Sequence, residues 1–199
     1  EPVHLRGVAL EQGPDQGPEQ VLTVIDGVVL HAQTVLEDPR GAFAEAFRQT
    51  WFPGVPRFVQ GNLSRSRARV LRGLHVHRRQ WDLWVPVAGR LFVALRDLRE
   101  GSPTAGVTDT LELDAARPAA LLIPPGVAHG FQALEDATLL YLVTEAYDGT
   151  DEDGFSPLDP AVGVSWPLDD PILSDRDRDA PPLAELEGGR GQDRGTASP

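Results

Sequence analysis

Between about residues 28 and 145 the chain reads as a succession of short apolar runs, each cut off by a turn residue, with no long stretch keeping a helical period. Val28 to Leu36, Leu83 to Leu95, Ala120 to Ile123 and Thr138 to Thr144 are such runs. Gly89 divides the second, and Pro124-Pro125-Gly126 follows the third. Phe43, Glu45 and Phe47 alternate with small or polar neighbours, as do Arg65, Arg67 and Arg69, the period of strands with two unlike faces. This pattern specifies an all-β fold, an antiparallel sandwich or barrel, and residues 150 to 182, rich in Asp and Pro, wrap it irregularly or as a short helix.

A chain of 199 residues suits one such domain with tails. The Gly-, Pro-, Glu- and Gln-rich residues 1–22 read as a flexible lead-in, 23–184 as the barrel and 185–199 as a disordered tail. The first residue is Glu rather than Met, as in a trimmed or processed chain, and no secretory signal is visible. No apolar run is long enough for a bilayer, so no membrane partner is expected. A net charge of −12 argues against nucleic acid. Cysteine is absent, which removes disulfide and thiolate chemistry and leaves the cytoplasm as the default compartment. Lysine is absent too, so any cationic contact must come from arginine, histidine or a metal.

Against that acidic background Arg65, Arg67, Arg69, Arg72, Arg78 and Arg79 crowd one stretch, a solvated strand face or a local anion site. The four tryptophans, Trp51, Trp81, Trp84 and Trp166, read as packing groups, and His4 and His31 as structural or exposed. The acidic run Asp148 to Asp153 lacks calcium-loop spacing and reads as a solvated loop.

Chemistry concentrates in the remaining histidines. His75 and His77, two apart on a strand, point to one side and can both enter a barrel. Asp82, past a short turn, and His129, in Pro124-Pro125-Gly126-Val127-Ala128-His129, complete three imidazoles and a carboxylate. That set suits divalent Fe, Mn, Ni, Zn or Co, and it resembles the two metal-binding motifs of cupins, with Asp82 where glutamate is usual. The competing reading is a metal-free pocket in which His77 and Asp82 merely hydrogen-bond. No organic cofactor is expected.

A second resemblance covers about residues 28 to 183. Arg40-Gly41-Ala42-Phe43-Ala44-Glu45-Ala46-Phe47, Val59-Gln60-Gly61-Asn62, Leu71-Arg72-Gly73-Leu74-His75, Gly101-Ser102-Pro103-Thr104, Ile123 to Phe131, Leu140-Tyr141, Asp159-Pro160 to Trp166-Pro167 and Leu173 to Asp177 follow in order. The series resembles the RmlC family, dTDP-4-dehydrorhamnose 3,5-epimerases of the cupin superfamily. The resemblance implies a jelly-roll barrel and epimerisation of a dTDP-4-keto-6-deoxyhexose at C3, C5 or both. It implies His75 as base with Asp177 as its partner, and Tyr141 as general acid. It also implies Arg40, Phe43, Glu45, Gln60, Asn62, Arg72 and His129 as substrate-binding positions. The family forms homodimers with exchanged N-terminal strands, so Arg40 and Glu45 are expected to serve a neighbouring subunit.

The chain departs from this family in three places. Aligned on Gly89, Asp82 stands where these epimerases usually carry lysine and Val93 where they usually carry aspartate, while His77 replaces what is commonly glutamine. A ketone needs a cation or a donor beside its developing enolate, and a carboxylate has the wrong sign. A metal would neutralise Asp82, but a metal-bound His75 could not also be a free base. The alternatives are therefore a metal-dependent cupin enzyme, an isomerase or oxygenase, and a sugar-binding or structural barrel without turnover.

Overall fold

A computed structural model describes residues 20–186. The expected lead-in up to residue 19 and the tail from residue 187 lie outside the described residues. Among the described residues, thirteen strands account for almost all regular structure. They are β1 (Gln20–Leu22), β2 (Val29–Ala32), β3 (Val35–Asp38), β4 (Gly41–Ala44), β5 (Gln60–Ser66), β6 (Leu71–His77) and β7 (Asp82–Ala88). Then come β8 (Arg90–Asp97), β9 (Thr108–Asp114), β10 (Ala119–Ile123), β11 (Val127–Ala133), β12 (Ala137–Val143) and β13 (Glu152–Gly154). A single-turn helix α1 (Asp175–Arg178), a helical segment over residues 183–186 and short 3-10 turns at Gln49–Trp51 and Pro160–Val162 complete the regular structure of the described residues. No helix among the described residues is long and apolar enough to cross a membrane.

The strands form two antiparallel sheets, in the orders β1-β2-β10-β7-β12-β5 and β13-β6-β11-β8-β9, with β3 and β4 paired only to each other. This is an antiparallel barrel, as the sequence pattern specifies, and the jelly roll that the family resemblance implies. Alternation along the strands divides the apolar side chains among three clusters. Trp84, Leu91, Val93, Leu95, Leu121, Ile123, Phe131 and Leu139 fill the space between the sheets. Leu83 and Val85, of opposite parity on β7, pack outward with Leu122 beneath Phe52, Trp51 and Phe58 of the β4–β5 connection. Leu74 and Val76 of β6 face outward in the same way, and Phe155, Val162 and Leu183 of the C-terminal segment cover them. The segment after residue 150 thus wraps the barrel irregularly with a short helix, as expected, and packs on it as a structural layer.

Several local expectations are refined. The run from Val28 to Leu36 breaks into β2 and β3, and Phe43 is on β4 whereas Glu45 and Phe47 lie past its end. The arginine alternation ends at Ser66, because Ala68 and Arg69 turn the chain, Arg69 with φ 70°. His31 is buried and stacks on Trp51 at 4.4 Å between ring centres. The Gly-Ser-Pro-Thr segment closes a loop after β8. Buried Asp97 accepts hydrogen bonds there from the Arg99 side chain, Ser102 and Thr104. Burial pushes its carboxyl up, but those donors more than reverse this and hold it well below the usual range.

Candidate active site

Between the two sheets lies a pocket of about 420 Å³. One sheet lends it alternate residues of β5 (Gln60, Asn62, Ser64), β7 (Asp82, Trp84) and β12 (Leu139, Tyr141, Val143), the period-two geometry of strands. The other sheet lends Arg72, His75 and His77 from β6, His129 to Phe131 from β11, and Glu152 from β13.

Arg72 and His75 differ in parity, so a regular strand would aim them to opposite faces. The register resolves this. His129 pairs with His75 but Phe131 pairs with Arg72, so three steps along β6 oppose two along β11. This bulge brings the guanidinium into phase with the imidazoles. It requires glycine on both strands. A Cβ on Gly73, which has φ +111°, would lie 2.7 Å from Gly130 Cα, and one on Gly130 would lie 2.6 Å from the Arg72 carbonyl oxygen.

His75 is wired as the sequence implies. Its Nε2 lies 2.8 Å from Asp177 Oδ1, and α1, capped by the Ser174 hydroxyl, delivers that carboxylate. Burial raises the Asp177 carboxyl, yet the hydrogen bond and charge of His75 with the Ser174 bond prevail, so it stays below its ordinary value. With Nε2–H donating to Asp177, Nδ1 is the basic nitrogen. Glu152 Oε1 lies 3.5 Å from it and is itself held 2.6 Å from Arg176. Tyr141 reaches the pocket from β12. Burial and then the Asp82 and Glu152 carboxylates raise its phenol, so it remains a proton donor at neutral pH.

The expected four-residue metal set divides. His77, Asp82 and His129 bring donor atoms within 4.8 Å of one another, whereas His75 is not in that group because Asp177 holds its ring. Exposure separates the two clusters in depth: the His75 side chain is 27% exposed, those of His77 and Asp82 11% and 4%. His77 Nε2 lies 3.9 Å from Asp82 Oδ2. Both inner rings donate Nδ1–H to main-chain oxygens, His77 to Asp151 at 3.1 Å and His129 to Val127 at 3.0 Å. Burial pushes the Asp82 carboxyl up to about 6 although His77, Gln80 and Trp84 oppose it. Burial, then His77, depresses the His129 imidazole to about 3, so it is a neutral ring.

The binding positions divide as well. Arg72, on Ser66 Oγ at 3.1 Å, Gln60 and Asn62, joined at 2.9 Å, and His129 line the pocket. Arg40, Phe43 and Glu45 do not line their own chain's pocket, because the β3–β4 ribbon pairs with neither sheet. Arg40 pairs with Asp38 and Glu45 with Arg48.

Sequence reasoning missed Glu152, Gln80, Tyr147 and the pocket role of Trp84. Trp84 packs edge-on to His129 and Phe131, as a packing group would, yet also bonds to Asp82. The acidic run is only partly a solvated loop. Asp151 accepts backbone N–H bonds from Arg78, Arg79 and Gln80, shaping the β6–β7 turn, and Glu152 begins a strand. Glu152 stands between Asp151 and Asp153, with Thr150 and Gly154 beyond them, so no apolar alternation signals its strand.

A barrel pocket that presents a histidine backed from outside the sheets by a carboxylate, a protonated tyrosine and an arginine is built for proton transfer in an anionic substrate. The comparisons with known proteins agree. A family model described as dTDP-4-dehydrorhamnose 3,5-epimerase matches residues 22–185, and the chain belongs to that family. A dTDP-4-dehydrorhamnose 3-epimerase of Streptomyces niveus is 42% identical over 74% of this chain and 75% of its own length. A dTDP-4-dehydrorhamnose 3,5-epimerase of Methanothermobacter thermautotrophicus is 38% identical over 83% and 94%. Among solved structures, the 4-keto-6-deoxy sugar epimerase NovW of Streptomyces spheroides superposes with a TM-score of 0.82 at 37% identity, covering 88% and 93% of the two chains. The Legionella pneumophila enzyme solved with dTDP-4-keto-L-rhamnose gives 0.80 at 34%, covering 85% and 95%.

Proposed function

We propose that the protein is an isomerase that epimerises a dTDP-4-keto-6-deoxyhexose next to its keto group. The observation that carries this is the meeting of His75–Asp177 and Tyr141 in one pocket that also presents Arg72, Gln60 and Asn62. His75 Nδ1 takes the proton of a carbon beside the C4 ketone, and the electron pair of the C–H bond moves to the ketone oxygen as an enolate. As the carbonyl re-forms, the Tyr141 hydroxyl gives a proton to the opposite face of the same carbon, and solvent then reprotonates the phenolate and takes the proton held by the His75 imidazolium. Asp177 keeps Nε2 protonated and steadies the imidazolium, to which Glu152 adds a second negative neighbour. Arg72 suits the diphosphate, since guanidinium matches phosphate oxygens in pairs.

The ribbon supports a homodimer. Leu36 and Phe43 are 61% and 68% exposed on an element that pairs with neither sheet, as befits a strand pair laid on a second copy. Arg40, Phe43 and Glu45 would then complete the neighbour's nucleotide site. The cytoplasm is the default compartment, since a chain without cysteine leaves the compartment open.

Incubation with dTDP-4-keto-6-deoxyglucose in deuterium oxide tests the reading by NMR. Deuterium is expected at C3, C5 or both, and its loss in His75→Asn. A wild-type protein that binds dTDP but leaves both carbons protonated would overturn it.

A further inference from the structure

We propose that His77, Asp82 and His129 bind one divalent transition-metal ion at the inner end of the pocket. The three donors come from β6, β7 and β11, strands of both sheets, and all three residues are buried. Each imidazole is already oriented as a ligand. The Nδ1–H of His77 is taken by the Asp151 carbonyl and that of His129 by the Val127 carbonyl, so the lone pair of each ring is on Nε2. Metal–ligand lengths of about 2.1 Å place neighbouring donors roughly 3–3.5 Å apart. The 3.9 Å between His77 Nε2 and Asp82 Oδ2 closes to that distance by a small side-chain shift.

The carboxylate strengthens the case. The neighbours of Asp82 are the His77 ring, the Gln80 amide at 3.0 Å and the Trp84 indole, none of them a permanent cation. A buried carboxylate without a cation is costly, and a divalent ion removes that cost. The three side chains make two imidazoles and one carboxylate, a set that leaves positions open towards the pocket and suits Fe, Mn, Co, Ni or Zn.

The division of the histidines answers the objection that one residue cannot be base and ligand. His75 belongs to Asp177 and the metal to the other three. If the epimerase reading holds, on which this role rests, the ion would supply the positive charge for the ketone oxygen in a chain that has no lysine.

The test uses full-length protein purified without chelator, then stripped and titrated separately with Zn2+, Co2+, Mn2+, Ni2+ and, without oxygen, Fe2+. Elemental analysis is expected to find about one ion per chain. Stripping should lower the melting temperature and titration restore it, and the Co2+ form should show visible d–d absorption. His77→Gln and Asp82→Asn should each weaken binding by at least about 100-fold while dTDP still binds. No uptake of any of the five ions by stripped protein that binds dTDP overturns the site and leaves the epimerase reading standing. Equal uptake by wild type and both variants overturns it too. A protein that holds the ion but binds no dTDP keeps the site and removes the epimerase reading.

Discussion

At the residue scale the decisive feature is that each histidine of the pocket has one nitrogen committed and the other free for chemistry. His75 commits Nε2 to Asp177, whereas His77 and His129 commit Nδ1 to the main chain. Asparagine at Asp177 keeps the shape but can hold the His75 ring in the wrong tautomer. Asp177→Asn should therefore lower kcat by roughly 10²–10⁴-fold with an unchanged dTDP affinity, read by steady-state kinetics beside calorimetry. The pH profile follows from the shifts. The Asp177 carboxyl is held below its ordinary 3.8, so the orientation it provides is present above that pH and is lost only as the pH falls through the lower folded value. The Tyr141 phenol is raised above 10.0, so the alkaline limb of turnover should lie above pH 10 and vanish in Tyr141→Phe. These partnerships were legible in part. His75 with Asp177 came from the family pattern, but no spacing says that Asp177 takes His75 out of the metal group.

At the element scale the fold was read well because its strands follow simple alternation. Gln60, Asn62 and Ser64, or Leu139, Tyr141 and Val143, reach the pocket as period two requires. The exception is β6, where Arg72 and His75 share a face only through the bulge against β11. A sequence shows Gly73 but not that Gly130 is its counterpart across the pair. Gly130→Ala would drive a methyl group into the Arg72 carbonyl, and the backbones would have to part. A loss of about 3 kcal/mol or more is expected in denaturant unfolding, with weaker dTDP binding as Arg72 swings out of phase. A similar limit hid Glu152: a three-residue strand in an acidic run carries too little pattern to be told from a loop.

At the scale of the whole molecule, two sheets make one pocket, and the β3–β4 ribbon is paired with neither of them. The alternation in β4 shows that Phe43 is on a strand, but not that its ribbon leaves the barrel. If that ribbon completes a neighbour's site, Leu36→Asp with Phe43→Asp should give monomers in light scattering and a dTDP affinity lowered at least about tenfold. A dimer undisturbed by both changes would count against the swapped arrangement.

The C-terminal layer has a kinetic consequence. Phe155, Val162 and Leu183 cover the outer face of β6, and the same stretch of chain carries Asp177 to the base. Peeling that layer away requires no strand of the barrel to unpair except β13, so it is a candidate for sub-global opening below the melting point. On warming, turnover should then fade at one midpoint and the β-sheet circular dichroism at a higher one. Amide exchange across residues 155–183 should track the first of them.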